Sequence, residues 1–242
     1  MSDPERPLRK MTIDIWSDVM CPWCLVGWGQ LQKGLALVEG EIEAEIRWHA
    51  FELNPDMAVE GEGRTEHIAR KYGRSVEQSK DVQGTMRDAA ERAGVSLDYT
   101  KESEGKQEGE AEPPPAMMWN TFAAHKLLTW TGEVKGPAKQ TELKLALFKA
   151  HFNQRRSIGE HSVLLDIAEE VGIARKEAQV PLGSDFYGQK VRAEEQAAMD
   201  MNVTGVPAMV VDGRFMIPGA QEAEVYANAM RRVAERFPVE AA

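Results

Sequence analysis

Cysteine is scarce in this sequence: the chain of 242 residues contains only two. A secreted scaffold held together by disulfides has many cysteines at wide spacings, and a closed structural zinc site needs four Cys or His ligands. The chain has five histidines, and no pair of them has the spacing of a zinc finger. We therefore expect neither a disulfide scaffold nor a metal site, and zinc bound by both cysteines and two histidines stays the minor alternative.

Long apolar runs and an excess of positive charge are also missing. Residues 1–10 are rich in charged side chains, and the apolar stretch at 13–20 is interrupted by Asp14 and Asp18, which leaves no signal-peptide core and no transmembrane span. The formal net charge of −10 repels phosphate backbones and anionic lipids. We therefore predict a cytoplasmic protein whose partners include neither nucleic acid nor a membrane.

The two cysteines, Cys21 and Cys24, stand between a predicted strand and a predicted helix. Apolar and polar residues alternate over 11–16, which indicates a half-buried strand. Apolar residues then recur at helical spacing from Cys24 to Leu35, and a second alternating stretch at 44–50 indicates another strand. A strand, a helix and a strand in this order form a βαβ unit with the cysteine pair at its first turn, which favours redox chemistry.

The C-terminal part of the chain completes the sheet. Two short apolar runs, at 208–211 and 214–217, flank the dipeptide Asp212-Gly213, which is a strong hairpin signal. A helical pattern follows at 221–236. A βαβ start and a ββα finish are the two halves of a thioredoxin-like sheet.

The middle of the chain, between residues 54 and 185, shows no convincing strand pattern. An insertion of this length that consists of helices should pack as a bundle of its own beside the sheet. The helical patterns lie at 65–72, 76–94, 117–128, 138–152 and 162–171.

These patterns together predict an α/β, thioredoxin-like fold with a large all-helical insertion. Residues 10–54 and 186–238 should form the thioredoxin-like domain, and residues 55–185 the insertion. An acidic, Pro-rich segment at about 101–115 is typical of a flexible surface linker.

Cys21 occupies the start of the predicted helix, where the chemistry of a thiol changes. Only the thiolate attacks a disulfide, and the unpaired N–H groups and positive dipole end of a helix N-terminus favour an anion. We therefore expect an exposed Cys21 with a depressed pKa that attacks the substrate, and a buried Cys24 that releases the mixed disulfide. Pro22 and Trp23, between the two thiols, should influence the redox poise of the pair.

Six stretches of sequence, in a fixed order along the chain, carry a resemblance to a known family. They are SDVMCPWC (17–24), FELNPD (51–56), NTFAAHKL (120–127), LFKAHF (147–152), VLLDIAEEVGI (163–173) and VTGVPAMVVDGRFMIPGAQ (203–221). The chain resembles the DsbA-like oxidoreductases of the FrnE type. Kappa-class glutathione transferases and 2-hydroxychromene-2-carboxylate isomerases have the same fold as these oxidoreductases, a thioredoxin fold interrupted by a helical domain. The resemblance implies that Cys21 and Cys24 are the redox pair and that Val206 and Pro207 form a substrate-binding cis-proline loop.

The resemblance also implies a disulfide oxidoreductase that uses no cofactor besides its own cysteine pair. Its substrates would be protein or small-molecule thiols and disulfides, with glutathione as a candidate electron partner. A reductase or isomerase role fits a cytoplasm in which glutathione keeps thiols reduced. Two other functions stay open: a glutathione-dependent isomerase or transferase, against which the second thiol at Cys24 argues, and a non-redox chaperone or binding module.

Two polar residues, Asn120 and His125, lie about one turn apart on a predicted helix. The resemblance suggests that both face the active cleft. A role in capping or packing the helix is the stronger interpretation.

Overall fold

The computed structural model describes residues 8–73, 76–97 and 115–238. The strands are β1 (Arg9–Ser17), β2 (Ile42–Ala50), β3 (Glu62–Gly63), β4 (Met117–Met118), β5 (Ala208–Val211) and β6 (Phe215–Pro218). The helices are α1 (Pro22–Leu37), α2 (Arg64–Tyr72), α3 (Val76–Ala93), α4 (Phe122–Lys135), α5 (Pro137–Phe152), α6 (His161–Glu170), α7 (Arg175–Leu182), α8 (Asp185–Asp200) and α9 (Ala223–Arg236).

The central sheet has the strand order β2-β1-β5-β6. β1 pairs in parallel with β2, with Ile15 opposite Trp48, and antiparallel with β5. β5 and β6 form the hairpin predicted at Asp212-Gly213, where both residues adopt the positive φ angles, 50° and 64°, that a tight hairpin turn requires. The predicted α/β, thioredoxin-like fold is therefore confirmed.

Side chains alternate between the two faces of this sheet, as the period of a strand demands. Ile13, Ile15 and Met209 lie in a core that they share with residues of α1 and α9. Trp16 and Val210 point the opposite way, into a smaller cluster that includes Ala198 of α8. The first face carries the helix that begins at the cysteine pair, so the main core of the sheet supports that helix directly.

Three glycines let the backbone of α1 approach its neighbours closely. A Cβ atom on Gly29 would lie 2.6 Å from the carbonyl oxygen of Ala93 at the end of α3, and one on Gly34 would lie 2.8 Å from that of Ala223 in α9. A Cβ on Gly27 would come within 3.0 Å of the Pro207 ring. Glycine in a helix interior costs about 0.5–1 kcal/mol relative to alanine, and here that cost is offset by close packing on three sides.

The insertion is built mainly of helices with a core of their own. Leucines from four helices, α4 to α7, meet in it: Leu127, Leu143, Leu147, Leu164 and Leu182. Val19 and Met20, which directly precede the cysteine pair, belong to this second core. The segment leading to the cysteines therefore joins the sheet to the helical bundle.

One feature of the insertion differs from the prediction. Glu62 and Gly63 pair antiparallel with Met118 and Met117, so the insertion is helical apart from a short strand pair. Two residues are too few to show a strand period, and the partners lie far apart in the sequence. Met117 and Met118 had fitted the beginning of a predicted helix, which in the structure begins later, at Phe122.

Several predictions concern regions or limits that the structure leaves open. The predicted linker at about 101–115 lies outside the described residues, apart from Pro115. The limits of the two predicted domains stay predictions. In the described part of the chain, every helix is too short or too polar to cross a lipid bilayer.

Candidate active site

The two cysteines lie at the start of α1. Cys21 is the N-cap residue, with an extended backbone, and Pro22 is the first helical residue. Pro fits this position because the missing N–H would have no partner inside the helix. The amide of Cys24 donates to the carbonyl oxygen of Cys21 at 3.1 Å, and both thiols are free. The helix start therefore brings the pair together as the spacing predicts.

The loop before β5 covers Cys21. The Val206–Pro207 peptide bond is cis, as predicted, and the Sγ atom of Cys21 lies 3.5 Å from the Val206 carbonyl oxygen. This contact leaves Cys21 only 3% exposed, while Cys24 is 0% exposed. The expectation of an exposed Cys21 is therefore wrong, because the covering loop comes from the other end of the chain.

The surroundings of the two thiols shift their pKa values in opposite directions. The hydrogen bond to Cys24, followed by burial, raises the pKa of Cys21 well above its ordinary value. Burial also acts to raise the pKa of Cys24, but the hydrogen bond from Cys21, the positive charge of Lys144 and the Ser17 hydroxyl outweigh it and lower that pKa. In the reduced pair, the raised pKa of Cys21 is therefore opposite in direction to the predicted depression.

A cleft of about 580 Å³ opens beside Cys21. Pro22 and Trp23 line it together with Cys21, and Val206 lines it from the covering loop, whereas Cys24 is not part of its wall. Its other apolar lining residues include Met20, Leu53, Ile68, Met86, Met117, Met118 and Trp119. The cleft therefore presents an apolar wall to whatever approaches the Cys21 sulfur.

The charged residues in the described lining of the cleft are all basic. Arg64, Lys71 and Arg155 line it, and no carboxylate does. His151 also contributes to the wall, and burial lowers its pKa to about 4.

A second set of polar side chains lies buried on the other side of the cysteine pair. We call Ser17, Asp18, His125 and Lys144 the buried polar cluster. Asp18 accepts hydrogen bonds from the amides of Leu53 at 2.8 Å and Met20 at 3.3 Å, and its Oδ1 lies 3.5 Å from the Nε2 of His125.

The charges of this cluster influence one another. Burial acts to raise the pKa of Asp18, but the nearby His125, the amide of Leu53 and the charge of Lys144 lower it overall. Lys144 donates from its Nζ to the Ser17 carbonyl oxygen at 3.3 Å. A carboxylate and an amine are thus held in the protein interior next to the thiols.

Sequence reasoning identified one side of this site and missed the other. It singled out Cys21, Cys24 and the Val206–Pro207 loop, and the structure brings them together. Lys144 was missed, and the one available signal was its position four residues before Phe148 on the apolar side of a helix.

The outcome for the two polar residues near α4 is mixed. The Oδ1 of Asn120 accepts a hydrogen bond from the amide of Phe122 at 3.0 Å, which is the predicted capping role. His125 is buried next to Asp18 and is not a lining residue of the cleft.

Within the residues that the structure describes, no group of three or more His, Cys, Asp or Glu side chains is arranged to hold a metal ion.

Comparison with known proteins places this arrangement in a family. The DSBA-like thioredoxin domain matches residues 12–231. The uncharacterized protein YwbO of Bacillus subtilis (strain 168) is 25% identical over 219 residues, which cover 90% of this chain and 94% of that protein.

Solved structures agree with this assignment. The crystal structure of a probable DsbA oxidoreductase from Streptomyces coelicolor has a TM-score of 0.81 and 28% identity, and the match covers 96% of this chain and 94% of that one. A 2-hydroxychromene-2-carboxylate isomerase, at 18% identity and a TM-score of 0.61 over 93% of this chain and 97% of that one, shares the fold. The chain belongs to the DsbA-like oxidoreductase family and has a DSBA-like thioredoxin domain.

Proposed function

We propose that the protein is a thiol–disulfide oxidoreductase of the FrnE type that reduces or isomerises disulfides through Cys21 and Cys24. One observation carries the proposal: Cys21 lines the cleft and Cys24 does not. A disulfide that enters the cleft meets the sulfur of Cys21 alone. Cys21 is therefore the attacking thiol, and Cys24 is the resolving thiol behind it.

The reaction follows from thiol–disulfide exchange. The shared proton moves from Cys21 to Cys24, and the Cys21 thiolate attacks a sulfur of the substrate. A bond forms between Cys21 and that sulfur, the substrate disulfide breaks, and the first substrate thiolate leaves. Cys24 then gives its proton to water and attacks Cys21. The bond between Cys21 and the substrate sulfur breaks, which releases the second substrate thiolate and leaves a Cys21–Cys24 disulfide. Two electrons pass from the cysteine pair to the substrate.

The lining of the cleft limits the substrates that it fits. Its walls are apolar and its charged groups are basic, so we propose protein or small-molecule disulfides with an apolar group and a carboxylate near the sulfurs. Glutathione, which carries two carboxylates, is the first small thiol to test. We also propose that the protein is cytoplasmic and that its partners include neither nucleic acid nor a membrane. In the cytoplasm, the reducing glutathione pool favours the reductase or isomerase direction.

Trapping of mixed disulfides tests the assignment of the two thiols. Cells that express Cys24→Ser, Cys21→Ser or the double variant are quenched with acid, and adducts are separated without reductant and identified by mass spectrometry. Cys24→Ser should accumulate adducts, because only the second step is lost. Cys21→Ser and the double variant should accumulate almost none. Equal trapping by the two single variants would contradict the proposal.

A second candidate is a glutathione-dependent isomerase. The cleft volume of about 580 Å³ lies in the range of small-molecule sites, and one protein that shares the fold is an isomerase. Such an enzyme needs Cys21 but no resolving thiol. Isomerase activity that persists in Cys24→Ser, with glutathione as its sole adduct, would favour this candidate.

A further inference from the structure

A lysine side chain lies buried beside the cysteine pair. Lys144 is 1% exposed, and its ammonium lies 5.3 Å from the centre of the Trp48 ring and 5.1 Å from that of Phe148. Its hydrogen-bond acceptor is the Ser17 carbonyl oxygen. Among the described residues, no carboxylate oxygen lies within ion-pair distance of it.

A buried ammonium without a carboxylate in direct contact is costly, because the charge has left water and no ion pair replaces the lost hydration. The ionisable groups that face Lys144 come from three elements: Cys21 and Cys24 at the start of α1, Asp18 after β1, and Glu194 on α8. Burial lowers the pKa of Lys144 to about 8, and these groups act to raise it. The ammonium form therefore depends on the negative charge around it.

The thiols are the members of this group whose charge changes during turnover. Asp18 is already bonded to two backbone amides, and the carboxylate of Glu194 accepts from the amide of Ala50 at 2.6 Å. The charge of Lys144 lowers the pKa of Cys24. A charge that acts on Cys24 affects the second step of the reaction.

We propose that Lys144 is a positioning residue that holds Cys24 as a thiolate and so accelerates the resolving step. The inference rests on the proposed redox function of the pair. In this step the Cys24 thiolate attacks the Cys21 sulfur of the mixed disulfide, and the Cys21–Cys24 bond forms. The bond from Cys21 to the substrate sulfur breaks, and the substrate thiolate leaves with the electron pair and takes a proton from water.

Titration of Cys24 alone tests the electrostatic part of the proposal. In Cys21→Ala, thiolate absorbance near 240 nm follows the ionisation of Cys24 without any need for access from solvent. Adding Lys144→Met should lower the acid dissociation constant of Cys24 about tenfold, because the neighbouring charge is gone. With Lys144→Arg in place of Lys144→Met, the acid dissociation constant of Cys24 should stay close to its value in Cys21→Ala alone. A Cys24 titration that Lys144→Met leaves unchanged would overturn the inference.

Lys126 provides a matched control. It is also buried, at 8% exposed, donates to a backbone carbonyl oxygen, that of Leu182, at 2.7 Å, and lies 5.8 Å from an aromatic ring, that of Phe122. Burial lowers its pKa as well, and the charged group that acts on it is Asp185. Lys126→Met in Cys21→Ala should leave the titration of Cys24 unchanged, and an equal shift would mean that Lys144 has no specific effect.

The lifetime of a mixed disulfide tests the kinetic part. Reduced protein is mixed with oxidised glutathione, quenched with acid at intervals and weighed by mass spectrometry. Lys144→Met should lengthen the lifetime of the glutathione adduct about tenfold. In Cys24→Ser the same substitution should change the rate of adduct formation less than threefold. An unchanged adduct lifetime would contradict the proposal.

The two measurements separate the inference from the function on which it rests. If no variant formed adducts, the redox function would fail while the Cys24 titration still reported on Lys144. If adducts formed normally but the titration did not move, the inference alone would fail.

Methionine has nearly the length of the apolar stem of lysine, so Lys144→Met keeps the packing of that stem and is expected to fold. Should Lys144→Met nevertheless not fold, 13Cε-labelled lysine in the unmodified protein gives the reciprocal measurement. A lysine with a pKa near 8 in the reduced protein should titrate at lower pH once the pair is oxidised, because the thiolate is gone. Identical titrations in the two redox states would overturn the inference.

Discussion

The two sides of the cysteine pair differ in almost every physical respect. The cleft beside Cys21 is apolar, open and basic at its charged positions. The buried polar cluster next to Cys24 is closed, and its members Asp18, His125 and Lys144 are each at most 1% exposed. The proposed function assigns the entry of the substrate to the first side, and the proposed role of Lys144 assigns control of the charge on Cys24 to the second.

This difference shows that reactivity and access are arranged separately in this protein. The start of α1 and the spacing of the two cysteines place both sulfurs within a single helical turn. Access then depends on the covering loop, whose Val206 carbonyl lies against Cys21, and charge depends on Lys144 from a helix of the insertion. The predictions below change one side at a time, so that each measures how independent the two sides are.

The largest effect is expected from Asp18→Ala, on the closed side. Asp18 is 0% exposed, and its loss leaves the amides of Leu53 and Met20 without an acceptor. Removing one partner of a buried ionic group costs on the order of 3 kcal/mol. We expect the free energy of unfolding, measured by denaturant titration at pH 7, to fall by about that amount.

An exposed pair supplies the control for Asp18. Asp166 lies 2.5 Å from Arg175, and both side chains are about half exposed, so Asp166→Ala should cost about 0.5 kcal/mol or less. The pKa of Asp18 is lowered in the folded state, so its contribution is complete above the ordinary pKa of 3.8 and is lost as the pH falls through the folded value. A cost of Asp18→Ala that stayed constant as the pH fell below 3.8 would contradict this assignment.

A smaller effect is expected on the open side, from His151→Gln. Burial lowers the pKa of His151 from 6.5 to about 4, so between these values the unfolded chain binds a proton that the folded protein does not. Folded stability therefore falls as the pH drops below 6.5. Between pH 7 and pH 5, the variant should lose about 2 kcal/mol less free energy of unfolding than the unmodified protein.

The exposed residue His161 is the matched control for this measurement. His161→Gln should leave the pH dependence of unfolding unchanged. If both variants flattened the profile equally, the effect would come from histidine content and not from burial in the cleft wall.

The smallest effect is expected between the two sides, at Gly27. Its Cβ would lie 3.0 Å from the Pro207 ring and 3.4 Å from the Met209 side chain, so Gly27→Ala should lower the free energy of unfolding by about 1 kcal/mol. It should also slow disulfide exchange severalfold, because the Pro207 ring and the neighbouring Val206 must shift. Thermal unfolding and a reductase assay measure the two effects.

Gly84 gives the opposite result for the same substitution. Nothing lies within 4 Å of a Cβ built on Gly84, which is exposed in α3. Gly84→Ala should raise the free energy of unfolding by up to about 1 kcal/mol through helix propensity and leave the exchange rate unchanged. Equal signs for the two variants would show that contact with the loop is not what matters at Gly27.

The sheet and the cysteine turn could be predicted because their signals are local. Alternation over 11–16 and 44–50, the Asp212-Gly213 turn and Pro22 at the helix start each act within a few residues. The missed elements lack such a signal. α7 has only eight residues, with charged residues at its start and Pro181 inside it, so its helical period is too short to recognise. β4 exists only through its pairing with β3.

The errors at the site have the same origin. A helix start does favour an anion, but the sequence could not show that Val206 would cover Cys21 or that Lys144 would lie near Cys24. Those contacts join residues more than 100 positions apart. Electrostatics at a buried site depends on such contacts more than on neighbours in sequence.

The three glycines of α1 affect how the results of saturation mutagenesis of this protein should be interpreted. At Gly29 and Gly34, any side chain would meet backbone atoms of α3 and α9 at less than 3 Å. Saturation mutagenesis should therefore rank both positions close to the cysteines in intolerance, although neither lines the cleft. In this helix, intolerance of substitution at a glycine therefore reports close packing of the backbone and not a role in the chemistry.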